Sequence, residues 1–185
     1  MQNTMTSVNN DAPFWADITT STGQTLADLA EKTPVLLVFL RHFGCSFCRE
    51  AISDISKRKK RLENHGINVV FVHMSPEEKT VELFFKKYKL WPVLNIADPE
   101  KKTYALFGLG RGTPQQLFGL MNWIRGVQAG VLEGHGFAYH NVELGDGFQM
   151  PGVFVLDKGE IINSFVHEQA WDRPDYDEIV NVCAR

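Results

Sequence analysis

Residues 35–40, Val-Leu-Leu-Val-Phe-Leu, are six consecutive apolar residues without polar alternation, and they constrain the fold more than any other stretch. A short run rich in branched and aromatic side chains reads as a strand buried on both faces, which requires helices packed on each side of a sheet. Directly after it comes Arg41-His42-Phe43-Gly44-Cys45-Ser46-Phe47-Cys48, and Phe47, Ala51, Ile55 and Leu62 then fall close to one face of a helix. The strand therefore hands over to a helix at a Cys-x-x-Cys pair. Cys45 is expected at or just before the first turn, where unsatisfied backbone N–H groups and the helix dipole favour a thiolate. Cys48 is expected one turn further on, less exposed and less acidic than Cys45, and close enough to attack an oxidised Cys45.

The remaining elements follow from local signals. Residues 15–32 are a polar lead-in with a turn at Ser21-Thr22-Gly23 and a short helix over 26–30. Gly66 is placed to end the helix that carries the cysteines. Residues 67–72 form a second apolar run, and Ser75-Pro76-Glu77-Glu78 reads as an N-cap serine, a first-turn proline and a capping-box glutamate. The helix they announce carries Val81, Phe84, Phe85 and Tyr88. This β-α-β-α order predicts parallel strands with right-handed crossovers. Thr113-Pro114 repeats the helix-start signal, with Leu117, Leu120, Met121 and Ile124 predicting a helix to about Ala129, whereas the Gly-rich residues 126–147 read as an irregular excursion. Residues 153–156 and 161–166 flank Asp157-Lys158-Gly159-Glu160 as a hairpin, and a last helix starts near Pro174. The sum is an α/β, thioredoxin-like fold, a central mixed β-sheet flanked by helices, forming one domain over 15–185 after a flexible stretch over 1–14.

Charge and cysteine count narrow the chemistry. With 19 Lys+Arg against 22 Asp+Glu there is no basic excess to match nucleic acid. The basic run 57–61 falls toward the C-terminal end of a helix, where cations complement the dipole on a solvated face. No apolar stretch approaches the roughly 18 residues of a membrane span, and residues 1–13 lack a signal-peptide core. A cytoplasmic protein with no membrane or nucleic-acid partner is expected. Three cysteines cannot build a disulfide framework, so a lone Cys-x-x-Cys pair in a reducing compartment is catalytic or metal-binding. Zinc would need two further ligands, for which only Cys183 and scattered histidines are available. Redox chemistry, a metal half-site and inert buried thiols are the three readings, and placement at a strand–helix junction favours the first. No metal or cofactor is expected. Cys183 shares a helical face with Tyr176, Ile179 and Val180, which predicts packing.

The chain resembles the peroxiredoxin-like branch of the thioredoxin superfamily, the AhpC/TSA antioxidant group often called peroxiredoxin-like 2. Phe39-Leu40-Arg41 with Gly44-Cys45-Ser46-Phe47-Cys48-Arg49 carries that resemblance. So do Trp91-Pro92-Val93-Leu94, Asp98-Pro99-Glu100 and the Tyr104 to Gly108 segment, similar to a peroxiredoxin strand, turn and short Tyr/Phe-Gly element. A third piece is Gln149 to Asp157, where Pro151 stands before a strand as the cis-proline of thioredoxin-like proteins does. The resemblance implies a peroxiredoxin-type N-terminal extension, an insertion before the cis-proline strand, and a thiol-dependent oxidoreductase acting on peroxide or disulfide. It further implies that a thioredoxin- or glutathione-type reductant restores the dithiol and that a homodimer can form. Peroxiredoxins carry Pro-x-x-x-Thr-x-x-Cys around their reactive cysteine. Counting back from Cys45 places Val38 and His42 at those two positions; counting back from Cys48 places Arg41 and Cys45 there. Neither register has the threonine hydroxyl, so peroxide reduction is expected to be slow relative to disulfide exchange.

Several side chains are candidates for supporting roles. Arg41 and His42 could lower the Cys45 pKa or relay a proton, or they could simply end the strand and face solvent. A helix-end interaction of up to about 2 kcal/mol converts to roughly 1.5 pKa units, enough alone to bring a thiol to near neutrality. Arg111, in Gly110-Arg111-Gly112, could approach the thiolate as a peroxiredoxin arginine does, or be a loop arginine. Pro151 is expected beside the dithiol with a cis bond. Phe118, Trp123, Phe137 and Tyr139 could line a groove or a dimer contact, with core packing the simpler reading. A redox-sensing or partner-binding module without turnover is the alternative function.

Overall fold

The computed structural model describes residues 12–118 and 146–183. The elements are α1 (Leu26–Lys32), β1 (Val35–Phe39), α2 (Ser46–Asn64), β2 (Asn68–His73), α3 (Glu78–Lys87), β3 (Leu94–Ala97), α4 (Lys102–Leu106), α5 (Pro114–Phe118), β4 (Gly152–Asp157), β5 (Glu160–Val166) and α6 (Tyr176–Val180). A 3-10 turn over Asn181–Cys183 follows α6. The strands form one mixed sheet in the order β3-β2-β1-β4-β5. β1, β2 and β3 are parallel, while β4 runs antiparallel to β1 and β5 antiparallel to β4. This is the expected thioredoxin-like arrangement.

β1 is central because all of its residues are buried. Its side chains alternate between two layers, as the period of a strand dictates. Leu36, Val38 and Leu40 pack with Ile52 and Ile55 of α2, Phe85 of α3 and Ile179 of α6. Val35, Leu37 and Phe39 pack on the other face with Leu26 and Leu29 of α1 and Tyr104 of α4. The ends of the helices obey local rules. Thr25 caps α1 by accepting from the Asp28 N–H at 3.0 Å. Gly66, with φ of 68°, provides the left-handed residue that turns the chain out of α2.

Two expectations need correction. α3 starts at Glu78 with Glu77 at its N-cap and no side-chain cap, rather than at Ser75. β2 runs to His73 and Met74 is still buried in the sheet layer, so at Ser75 the chain is only leaving the sheet. The cis peptide among the described residues joins Trp91 and Pro92, and the Met150–Pro151 bond is trans. Here the chain enters β4 already extended. The Met150 N–H donates to the Gly110 carbonyl, and Gly152 is in register with Phe39 on one side and Val166 on the other. The final helix is short, yet Tyr176 and Ile179 are buried, and Val180 and Cys183 pack against the same core, as their spacing predicts. The helix expected from 113 onward is described as far as Phe118. Trp123, Phe137, Tyr139, the Phe118 side chain and most of the 126–147 excursion lie outside the described residues, as does most of 1–14.

The basic run on α2 does more than face water. Arg58 and Arg61 both bind Asp177 of α6, at 2.9 and 3.0 Å. In return Arg173 spans the buried carboxylates of α2, reaching Glu50 at 2.9 Å and Asp54 at 2.8 Å. Replacing Arg173 by methionine would leave two carboxylates, 3% and 7% exposed, without that guanidinium. Breaking a buried pair costs several kcal/mol, and because Arg173 is itself partly exposed we expect a loss of about 2 kcal/mol, read by urea denaturation.

Candidate active site

β1 delivers its last residues to a short turn at the C-terminal edge of the parallel strands. The Leu40 N–H donates to the Val72 carbonyl at 2.9 Å. The Tyr104 hydroxyl donates to the Leu40 carbonyl at 2.5 Å and lies 3.2 Å from that of Val72, tying the two strand ends together. The turn over residues 41–44 closes with the Cys45 N–H donating to the His42 carbonyl at 3.0 Å. Cys45 is then the N-cap of α2, as its placement in sequence predicts, and Cys48 lies inside the first turn. Both are free thiols.

Arg41 joins the two sulfurs. Its backbone N–H donates to Cys48 Sγ at 3.1 Å, and its guanidinium Nη1 lies 3.6 Å from Cys45 Sγ. Nη2 donates to the Gly147 carbonyl. Arg41 is 7% exposed, so its charge works in a poorly screened setting. The reading in which it faces solvent is thus replaced by one in which it covers the thiols. This cover explains a further departure from expectation: Cys45 is no more exposed than Cys48, both at 4%.

The acidity order does follow expectation. The Cys48 thiol, donating to the Cys45 sulfur, is the main influence that holds Cys45 well below the usual thiol range; burial opposes it, and Arg41, His42 and the Cys48 backbone N–H assist. Cys48 is pushed well above that range by burial and by its bond to Cys45. The pair is therefore polarised, with a thiolate at the helix start and a proton held on the sulfur behind it. Replacing Arg41 by methionine keeps the aliphatic stem and removes the charge. The midpoint of the pH profile for Cys45 alkylation is expected to rise, with a loss of thiolate at a fixed pH below it. An unchanged profile would mean that the Arg41 charge does not contribute to the acidity.

Other candidates divide. Pro151 does lie by the dithiol: with Cys48, Phe47, His167 and Tyr176 it lines a cavity of about 20 Å³. Arg111 does not. It is exposed, 3.2 Å from Asp146 and stacked over Phe148 at 5.4 Å. Asp146 also binds Lys101, so Arg111 belongs to a surface cluster that anchors the start of the 146–150 segment. His167 is the residue beside the dithiol that sequence reasoning missed, while Tyr176 is expected there only as a packing residue. His167 follows the last residue of β5, and its pKa is pulled down to about 4, chiefly by burial, with Asp172, the Pro151 and Asp172 backbone and Cys45 acting the other way. Its approach to the thiols depends on the pairing of β5 with β4 and β4 with β1, which no local motif announces. Among the described residues no group of three or more His, Cys, Asp or Glu side chains converges to hold a metal ion.

Comparisons with known proteins extend the description. The sequence profile of the AhpC/TSA antioxidant enzyme family matches residues 54–169. The prostamide/prostaglandin F synthase of Salmo salar is 30% identical over 166 residues, which covers 83% of this chain and 76% of that one. Peroxiredoxin-like 2A of Homo sapiens is 28% identical over 137 residues, covering 72% of this chain and 54% of its own length. Among solved structures, peroxiredoxin 6 of Arenicola marina superposes with a TM-score of 0.62 at 12% identity, covering 91% of this chain and 67% of that one. Peroxidoxin BcpB of Mycobacterium tuberculosis gives 0.58 at 18% identity and covers 90% of each chain. The fold and the profile match agree, and the chain belongs to the AhpC/TSA antioxidant enzyme family, within the peroxiredoxin-like group of the thioredoxin superfamily.

Proposed function

We propose that this protein is a thiol-disulfide oxidoreductase in which Cys45 is the nucleophile and Cys48 the resolving thiol. The observation that carries this reading is the convergence of the Cys48 thiol and the Arg41 guanidinium on Cys45 Sγ. The Cys45 thiolate attacks one sulfur of a disulfide, forming a mixed disulfide and expelling the other half as a thiolate. Cys48 then gives up its proton and attacks Cys45 Sγ, releasing the second half as a thiol and leaving a Cys45–Cys48 bond. With a peroxide the first step instead breaks the O–O bond to give a Cys45 sulfenic acid and an alcohol or water, and Cys48 expels water. An external thioredoxin- or glutathione-type dithiol or thiol pair restores both sulfurs.

Disulfide exchange ranks first because Val38 and His42 stand where peroxiredoxins place proline and threonine, so a donor that positions peroxide is missing. Arg111, being tied to Asp146, does not supply it. Rates of Cys45 oxidation by hydrogen peroxide and by a low-molecular-weight disulfide, compared at one pH by stopped flow, test the ranking. Exchange should be the faster. A peroxide rate near the diffusional regime would reverse the order and make the protein a peroxidase. The name of the Salmo salar relative makes prostanoid substrates a sensible addition to the panel. We further propose one domain over 15–185 and a cytoplasmic location. Among the described residues no helix is long and apolar enough to cross a membrane.

A further inference from the structure

A second cavity, of about 320 Å³, lies away from the thiols at the C-terminal ends of β2 and β3. Crevices outside the carboxyl ends of parallel strands are where α/β sheets receive ligands, and this volume is at the lower end of small-molecule sites. Phe43 separates it from Cys45: its ring stacks on Phe84 at 4.1 Å and lies against the His73 ring at 5.3 Å. One wall is polar and already organised. The Ser21 N–H donates to the Asn95 carbonyl at 2.7 Å, and the Asn95 amide donates to Ser21 Oγ at 3.2 Å and to the Val93 carbonyl at 3.1 Å. Asn95 Oδ1 faces His73 Nε2 at 3.1 Å. Pro76, Val81, Trp91 and Ile96 supply apolar lining.

Two features of the lining point to a ligand. Ser75 is 3% exposed, yet its hydroxyl has no hydrogen-bond partner among the described residues. The hydroxyl oxygen itself is not fully enclosed, so it can take a partner from the cavity. Glu78, at the rim, has no ion-pair partner among the described residues. No Lys or Arg lines the cavity, and His73 adds no positive charge near neutral pH because burial lowers its pKa. An anion would therefore meet a carboxylate with no compensating cation. A cation would meet that carboxylate, the Trp91 indole and a hydroxyl acceptor.

We propose that this cavity binds a small organic amine, its protonated nitrogen held by Ser75 and Glu78 and its apolar body against Trp91, Val81 and Ile96. The site is independent of the thiols, so it stands or falls apart from the redox reading. The test is NMR titration of the full chain with 2-phenylethylamine, 2-phenylethanol and 3-phenylpropanoate, which share a body and differ in charge. The amine should shift the Ser75 amide and Trp91 indole signals saturably, the alcohol should bind about fivefold more weakly, and the carboxylate should not bind over the same range. Glu78→Gln, an exposed substitution that leaves the core intact, should bring the amine down to the affinity of the alcohol. Ser75→Ala should weaken both. Equal binding of amine and carboxylate, an amine affinity unmoved by Glu78→Gln, or shifts that avoid Ser75 and Trp91 would each overturn the proposal.

Discussion

Replacing Cys45 by serine is expected to lower turnover of disulfide and peroxide alike by at least about a thousandfold, some 4 kcal/mol of transition-state stabilisation. A serine hydroxyl does not ionise near neutrality, and the Cys48 thiol and Arg41 guanidinium would then have no anion to stabilise. Cys48→Ser should behave differently. One round of attack by Cys45 remains possible, after which the protein stalls as a mixed disulfide or sulfenic acid that mass spectrometry can count. Appreciable turnover by Cys45→Ser would pass the nucleophile's role to Cys48 or Cys183 and remove the basis of the proposed mechanism.

Acid should weaken the fold through His167. Its ring ionises at about 4 in the folded protein against 6.5 for a free side chain, because burial disfavours the charged form. Between those values the unfolded chain binds a proton that the folded chain does not, so stability falls as pH drops below about 6.5 and the loss is complete below about 4. A separation of that size corresponds to about 3 kcal/mol. His167→Gln should lack this acid limb. Urea denaturation of both proteins at pH 7 and pH 4.5 checks it: the variant should lose less stability on acidification. Parallel losses would mean that the ring is hydrated and titrates normally.

What could be read from the chain was what depends on neighbours in sequence. The apolar run of β1, the start of α2 at Cys45 and the hairpin turn, where Lys158 and Gly159 both take positive φ, are settled within a few residues. Ser75 shows the limit of such reasoning. Its capping pattern is a good one, but burial of Met74 in the sheet layer delays the helix. Arg111 and His167 show a second limit. A Gly-Arg-Gly loop invites a functional reading, whereas the partner that holds it, Asp146, lies near the end of the 126–147 stretch, which has no readable pattern. His167 has no motif of its own and gains its position from two antiparallel pairings. The polarity of the thiol pair was legible because it rests on i to i+3 geometry and on Arg41 four residues before Cys45. Its burial was not, because the Arg41 side chain that covers the sulfurs is held by the Gly147 carbonyl, distant in sequence.

The placement of β4 has a consequence for how the protein is made. β1 gains its first neighbour from residues 68–72, soon after its own synthesis, but its other edge stays open until Gly152 to Leu156 have been added. α2 likewise waits for Arg173 to compensate Glu50 and Asp54. A nascent chain that has left the ribosome only as far as α3 therefore exposes an apolar strand edge beside two reactive sulfurs. Contacts of such high sequence separation fold slowly, and an unpaired edge invites association. The interval between synthesis of α3 and of Arg173 is thus the one in which this protein is most exposed to aggregation and to unwanted oxidation, and the stage at which a chaperone would matter most.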